Sequence, residues 1–258
     1  MPMEARDMIL EYQGLYKSFN QGTDREKVVL EDINISVSKN EFLVILGPGQ
    51  CGKTTLLEIA AGLIEPTQGS VFLHSEEMHG TSQEVGMVFQ NMATFTWKTV
   101  MQNVSLGGKI NKVPKKQREE KARYFIDLVG LTGFENAYPH QLSGGMKQRV
   151  GIARAYANDP QVLLMDEPFG HLDAQTRYQM EEEILKIWEQ SQRTIIFVTN
   201  NIEEAIFLGD RIIVLSNCPS QVKAEYLVDL DRLRNYTDKA FLALRKEITN
   251  NMDMVKFN

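Results

Sequence analysis

Apolar residues along this chain fall into short dense runs that alternate with segments of helical spacing. Residues 41–46 (Glu-Phe-Leu-Val-Ile-Leu) read as a buried strand running into a glycine-rich turn, and residues 54–63 as the helix that leaves it. The runs 85–89, 162–165, 194–199 and 211–215 read as further core strands. After Asp173 the pattern changes. Met180, Ile184, Ile187 and Trp188 make one apolar helical stripe, and Glu181, Glu182 and Glu183 occupy the other face. Strands alternating with helices predict an α/β core.

Three regions depart from that alternation. Residues 12–37 predict an antiparallel strand pair with a polar turn near 22–27. Residues 91–158 have little strand character and several helical segments, 115–131 among them, and predict a helical lobe inserted into the core. Past Ser216, residues 222–228 read as a strand and residues 238–250 as a helix.

With 258 residues, 43% of them hydrophobic and 24% charged, the chain can bury a sizeable globular core. A net charge of −6 argues against a nucleic-acid partner. The two cysteines, Cys51 and Cys218, give no disulfide framework and fit a reducing compartment. No run approaches the roughly 20 apolar residues of a membrane span. The first ten residues carry Glu4, Arg6 and Asp7 in place of a signal core. The expectation is a cytoplasmic protein whose membrane spans, if it needs any, come from other chains. Residues 109–123 hold seven Lys/Arg against two Glu, a solvated helix face or one turned to an anionic surface or partner. His74, His79 and His140 form no metal-ligand spacing.

The chemistry lies in three motifs. Gly47-Pro48-Gly49-Gln50-Cys51-Gly52-Lys53-Thr54 stands between a predicted strand and helix and matches the phosphate loop. Its backbone N–H groups wrap phosphates, Lys53 places a cation between the β- and γ-phosphates, and the Thr54 hydroxyl binds Mg²⁺. Residues 162–167 (Val-Leu-Leu-Met-Asp-Glu) deliver two carboxylates at a strand end. Asp166 is expected to hold the metal's water shell and Glu167 to polarise the attacking water. Successive strand residues face opposite sides, so the two take different jobs. Residues 142–148 (Leu-Ser-Gly-Gly-Met-Lys-Gln) form a second glycine turn ahead of the helical pattern Val150, Ile152, Ala153, Ala155. Free N–H groups and the helix dipole make it a second phosphate cradle.

Together these motifs resemble the ATP-binding cassette (ABC) family over residues 8–216. The resemblance implies a P-loop ABC-type nucleotide-binding domain spanning 1–258. Its RecA-like α/β core and N-terminal antiparallel β-subdomain would take up 8–90 and 159–220, with a helical subdomain inserted at 91–158 and a short strand and helix in 221–258. It implies ATP on Gly47, Pro48, Gly49, Gln50, Cys51, Gly52, Lys53, Thr54 and Thr55, with Mg²⁺ near Thr54, Gln90 and Asp166. Gln90 would link the metal and γ-phosphate to a membrane partner. Phe19 matches the aromatic that stacks on adenine, though core packing is the alternative. Ser143, Gly144 and Gly145 would serve a nucleotide held by a second copy. Asp173, in Gly170-His171-Leu172-Asp173, would cross the dimer interface. Hydrolysis would fall to Glu167, Gln90 and Asn200.

Residues 95–100 (Phe-Thr-Trp-Lys-Thr-Val), and Pro168-Phe169-Gly170 followed by residues 172–177, are similar to the importer ATPases for nitrate, aliphatic sulfonates and taurine. The implied protein is the ATPase subunit of an importer, peripheral on the inner face of the cell membrane. Two copies would pair head to tail, driving permease subunits and, indirectly, serving a solute-binding protein. Two departures stand out. Asn200 occupies the place of the family's usual His, in Thr199-Asn200-Asn201. Gly49 and Gln50 stand where the branch has Ser and Gly. Both bear on hydrolysis more than on ATP binding, which keeps open a cassette that binds ATP but hydrolyses it weakly. A soluble ABC ATPase without a transport role is the other alternative. Cys51 reads as a small filler, or as a reactive thiol if the helix start and Lys53 lower its pKa. His171 reads as a solvent-facing loop histidine, or as a replacement in trans for the missing one.

Overall fold

The computed structural model describes residues 7–91, 94–170 and 172–252. The chain begins with strands β1 (Met8–Phe19), β2 (Lys27–Ser38) and β3 (Phe42–Leu46), helix α1 (Lys53–Ala60), and strands β4 (Gln68–Leu73) and β5 (Glu76–Glu77). Next come β6 (Val85–Val88), α2 (Val100–Val104), α3 (Leu106–Ile110), α4 (Lys115–Leu128), α5 (Gly144–Ala157), β7 (Val162–Asp166) and α6 (Ala174–Ser191). The remainder is β8 (Thr194–Thr199), α7 (Ile202–Leu208), β9 (Arg211–Leu215), β10 (Val222–Leu227) and α8 (Lys239–Asn251). These elements form two compact units, Met1–Ser82 with Arg193–Asn258, and Gln83–Gln192.

In the first unit β3, β8 and β9 are buried along their whole length, as strands covered on both faces must be. They are parallel, with β3 between β8 and β9. β10 alternates half-buried and exposed positions and pairs antiparallel with β9. A second, antiparallel sheet has the order β2-β1-β4-β5. It contains the predicted pair over 12–37, extended by β4, which the sequence pattern did not disclose.

Two helices stop short of their predicted ends, and glycines explain both. α1 ends before Gly62, which sits at φ 69 where a Cβ would lie 1.9 Å from the Gly80 carbonyl oxygen. α4 ends before Gly130, at φ 67, the left-handed residue that closes many helices. α7 went unread because it is seven residues long and residues 204–208 are all buried, so it shows no amphipathic stripe. Its C-terminal carbonyls are bound by Arg234, whose Nη1 donates to Ile206 (2.6 Å), Phe207 (3.2 Å) and Gly209 (2.6 Å). Burial, and then the neighbouring Arg232, pull this guanidinium down to about 10. The clasp ties the segment after β10 to the helix that follows Asn200 and Asn201.

In the second unit β6 and β7 pair in parallel. α4 buries Ala122, Phe125 and Ile126, and the Phe125 ring stacks on Tyr156 of α5 at 5.8 Å. α6 buries Met180, Ile184 and Ile187 as its spacing predicts. The acidic face differs from the expected one. Glu181 is buried, because it lies one turn before buried Leu185 and falls inside a wider covered arc. Glu183 is half-buried and pairs with Arg149 at 2.8 Å. No helix among the described residues is long and apolar enough to cross a membrane.

Candidate active site

In the first unit, β3 delivers the chain into the 47–52 loop and α1 receives it. Neighbouring side chains crowd the outer glycines. A Cβ on Gly47 would lie 2.8 Å from the Cys51 Sγ, and one on Gly52, at φ 107, would lie 2.8 Å from Val29 Cγ1. Lys53 is buried, and its ammonium donates to the carbonyls of Gly47 and Pro48, both at 3.0 Å. The loop thus closes around a cation drawn from its own helix. Thr54 is exposed on the first turn of α1 and Thr55 half-buried. Cys51 is almost fully buried, and burial pushes its thiol up despite the nearby Lys53 charge. It is a filler, not a reactive thiol. Sequence reasoning missed Ser220, whose hydroxyl donates to the Cys51 carbonyl while its N–H donates to Val29 O at 2.9 Å. Ser220 carries no motif; only the tertiary fold brings it to the loop.

The departure at 49–50 has a backbone counterpart. Gln50 adopts φ 63, the left-handed region that glycine enters freely, whereas a Cβ at Gly49 would meet nothing within 4 Å. Relative to the resembling pattern, glycine has moved to a position that does not need it. Both residues are exposed.

β8 ends beside the start of this loop. Leu46 pairs with Thr199, and Gly47 N–H donates to the Thr199 carbonyl at 3.3 Å. The Thr199 hydroxyl donates to Glu204 Oε2 at 2.5 Å and accepts from Asn201 N–H at 3.0 Å. Asn201 Oδ1 accepts from the N–H groups of Glu203 (2.8 Å) and Glu204 (3.4 Å), capping α7. Of the two asparagines, one is therefore a helix cap and the other, Asn200, is exposed next to the loop. Phe19, at the end of β1, is 39% exposed with the Lys17 ammonium 5.0 Å from its ring centroid, so it is not core packing.

In the second unit Asp166 ends the wholly buried β7. Glu167 corrects the strand-alternation argument. It lies past the strand end at φ 39, so the two carboxylates are parted by a left-handed turn and not by pleat. A left-handed non-glycine residue costs about 1–2 kcal/mol, and such strain concentrates at functional positions. Gly170 N–H donates back to the Glu167 carbonyl at 3.1 Å. Gln90 is half-buried, two residues past β6.

Ser143 is exposed and caps α5, its Oγ accepting from Met146 N–H at 3.3 Å. Gly144 is exposed, and a Cβ on Gly145 would come within 3.2 Å of Thr176 Cγ2. Asp173 caps α6. Its Oδ1 accepts from Thr176 N–H at 3.0 Å and its Oδ2 from the Thr176 hydroxyl at 2.7 Å. The Thr176 N–H bond, ahead of the hydroxyl bond, lowers the Asp173 carboxyl below its usual range. The fold thus gathers Gly145, Thr176 and Asp173 at the starts of α5 and α6, and gives Asp173 a capping job that its sequence assignment had not included. His171 lies outside the described residues.

Trp97 is 70% exposed, with the Phe95 ring edge-on at 5.5 Å. Fully buried Asn103 holds their loop, binding the Phe95 N–H and carbonyl and donating to the Lys98 and Thr99 carbonyls. A cavity of about 280 Å³ beside it is lined by Trp97, Lys98, Met101, Lys109, Lys115 and Arg118, among others. Part of the basic run therefore has a concave surface to serve.

The family described as ABC transporter matches residues 30–170. An uncharacterised ABC transporter ATP-binding protein of Methanocaldococcus jannaschii is 48% identical, over 93% of this chain and 90% of its own length. A taurine import ATP-binding protein of Pelagibacter ubique is 46% identical, over 76% of this chain and 74% of its own. Among solved structures, a dimeric bacterial ABC transporter cassette is 30% identical with a TM-score of 0.76, covering 86% of this chain and all of that one. The phosphate loop, the Asp166–Glu167 strand end and the Ser143 turn are thus features of a chain that belongs to the ABC transporter family.

Proposed function

We propose that this chain is the ATP-hydrolysing subunit of an importer and works as a head-to-tail pair. One observation carries the reading: the chain has two separate phosphate cradles, each on its own unit. The loop of residues 47–54 is closed by Lys53, and the exposed Ser143 turn opens α5. A single nucleotide does not need both. In the proposed pair, ATP on one copy's loop meets the other copy's Ser143, Gly144 and Gly145, with Asp173 at the seam and Phe19 against the adenine. A cassette structurally similar to this chain has been seen as a dimer, also with ADP and phosphate bound. Relatives are named for import of taurine, nitrate and aliphatic sulfonates.

The loop fits a magnesium nucleotide: a Cβ at Gly47 or Gly52 would crowd its neighbours, and its cation is already drawn in. Thr54, Gln90 and the water shell of Asp166 would hold Mg²⁺, which supplies positive charge to the phosphate oxygens. Lys53 steadies the β- and γ-phosphates, and Glu167 takes a proton from the attacking water. Pairing on ATP and parting after hydrolysis would move membrane-spanning partners between two states. This chain would sit at the inner face of the membrane, bound to those partners, and a solute-binding protein would act on it only indirectly, through them.

The partner reading is tested at Trp97, whose exposure suits an anchor for a permease segment. Trp97→Ala should leave ATP binding and thermal stability unchanged and weaken recovery of the permease complex by about 2 kcal/mol, near 30-fold. Affinity capture from membranes with wild type and variant side by side gives the answer. Equal recovery would remove Trp97 from the interface.

A further inference from the structure

We propose that Gln50 is a catalytic residue of this ATPase, its carboxamide acting with that of Asn200 on the terminal phosphate. The inference rests on the reading that the 47–54 loop holds ATP. Three observations carry it. Gln50 occupies a left-handed backbone position at φ 63, where a side chain costs about 1–2 kcal/mol that glycine would avoid. Its side chain is exposed and makes no hydrogen bond to the described residues, so nothing within the fold offsets that cost. Asn200 is likewise exposed and unbonded among the described residues, and the Leu46–Thr199 register with the Gly47–Thr199 hydrogen bond sets it beside the same loop. Two idle amides, one on the loop and one flanking it, border the place where phosphate binds.

Their chemistry suits that place. A carboxamide NH₂ donates to a charged phosphate oxygen in a strengthened hydrogen bond, and its carbonyl accepts from a water. Elsewhere a glutamine amide orients the attacking water in phosphoryl transfer. On that reading the step balances: water oxygen would attack phosphorus, the bond to the ADP oxygen would break, and the water proton would pass to Glu167, with Lys53 and Mg²⁺ in the roles given above. Neither amide titrates, so turnover should show no imidazole limb near pH 6.5.

The test is steady-state turnover of the purified full-length chain, with ADP and ATP affinities measured in parallel. Gln50→Gly relieves the backbone while deleting the amide, so any loss of rate belongs to the side chain. We expect kcat to fall about tenfold while ADP affinity stays the same. Gln50→Asn, which tolerates the left-handed position, should fall in between. Because the two amides act as a unit, Gln50→Gly with Asn200→Ala should be little slower than the worse single variant. Wild-type turnover in Gln50→Gly would overturn the proposal, and strictly multiplicative losses would overturn the joint action. Lys53→Ala separates the two levels: if it leaves ATP affinity unchanged, the phosphate-loop reading itself fails, whatever Gln50 does.

Discussion

Glu167→Gln will bind ATP and Mg²⁺ with wild-type affinity and turn over about 10²- to 10⁴-fold more slowly, the range a positioned general base contributes. The substitution keeps the shape of the side chain and removes the charge that accepts a proton. It also leaves intact the left-handed turn, since the Gly170 N–H bonds the Glu167 backbone carbonyl and not its carboxylate. With hydrolysis blocked and binding intact, ATP should hold the chain as a dimer on sizing chromatography, while ADP should not. A variant that hydrolyses ATP at the normal rate would take the base role away from Glu167.

Ser143→Arg should abolish ATP-driven pairing and lower turnover at least about 100-fold, as losing phosphate donors at a catalytic site does. Ser143 is exposed and the one bond of its side chain among the described residues is the cap to Met146, so the fold can tolerate the change at about 1 kcal/mol of cap stability. ATP should still bind each copy through its own loop. The two losses must come together, because the proposed site is completed by the second copy. A variant that loses hydrolysis but still dimerises on ATP would break that link. Ser143→Ala is the control: it removes the cap without adding bulk and should keep most of the pairing.

Much of this molecule can be read from its residues, for a physical reason. β3, β8 and β9 are covered on both faces, so they appear in the chain as unbroken apolar runs. The phosphate loop is legible because its outer glycines are forced by contacts a Cβ could not survive. What escaped reading depends on distant partners. Ser220 reaches the loop from a turn 169 residues away. Asn103 is an ordinary polar residue in the sequence and the fully buried pin of the Trp97 loop in the fold. Glu167 looked like the last residue of a strand, and no pattern of side chains announces a change in the sign of φ. The sequence named Asp173 for an interface and gave no sign of the cap that occupies both its oxygens.

The exposure of Trp97 also gives the protein an optical handle. The chain has two tryptophans, and the other, Trp188, lies on α6 with its indole nitrogen shielded from solvent. Intrinsic emission therefore comes from one accessible fluorophore and one protected one, both in the same unit. A neutral quencher will extinguish the first and spare the second. Whatever settles over the 280 Å³ cavity beside Trp97 will announce itself by blue-shifting the quenchable half of the spectrum, with no label added to the chain.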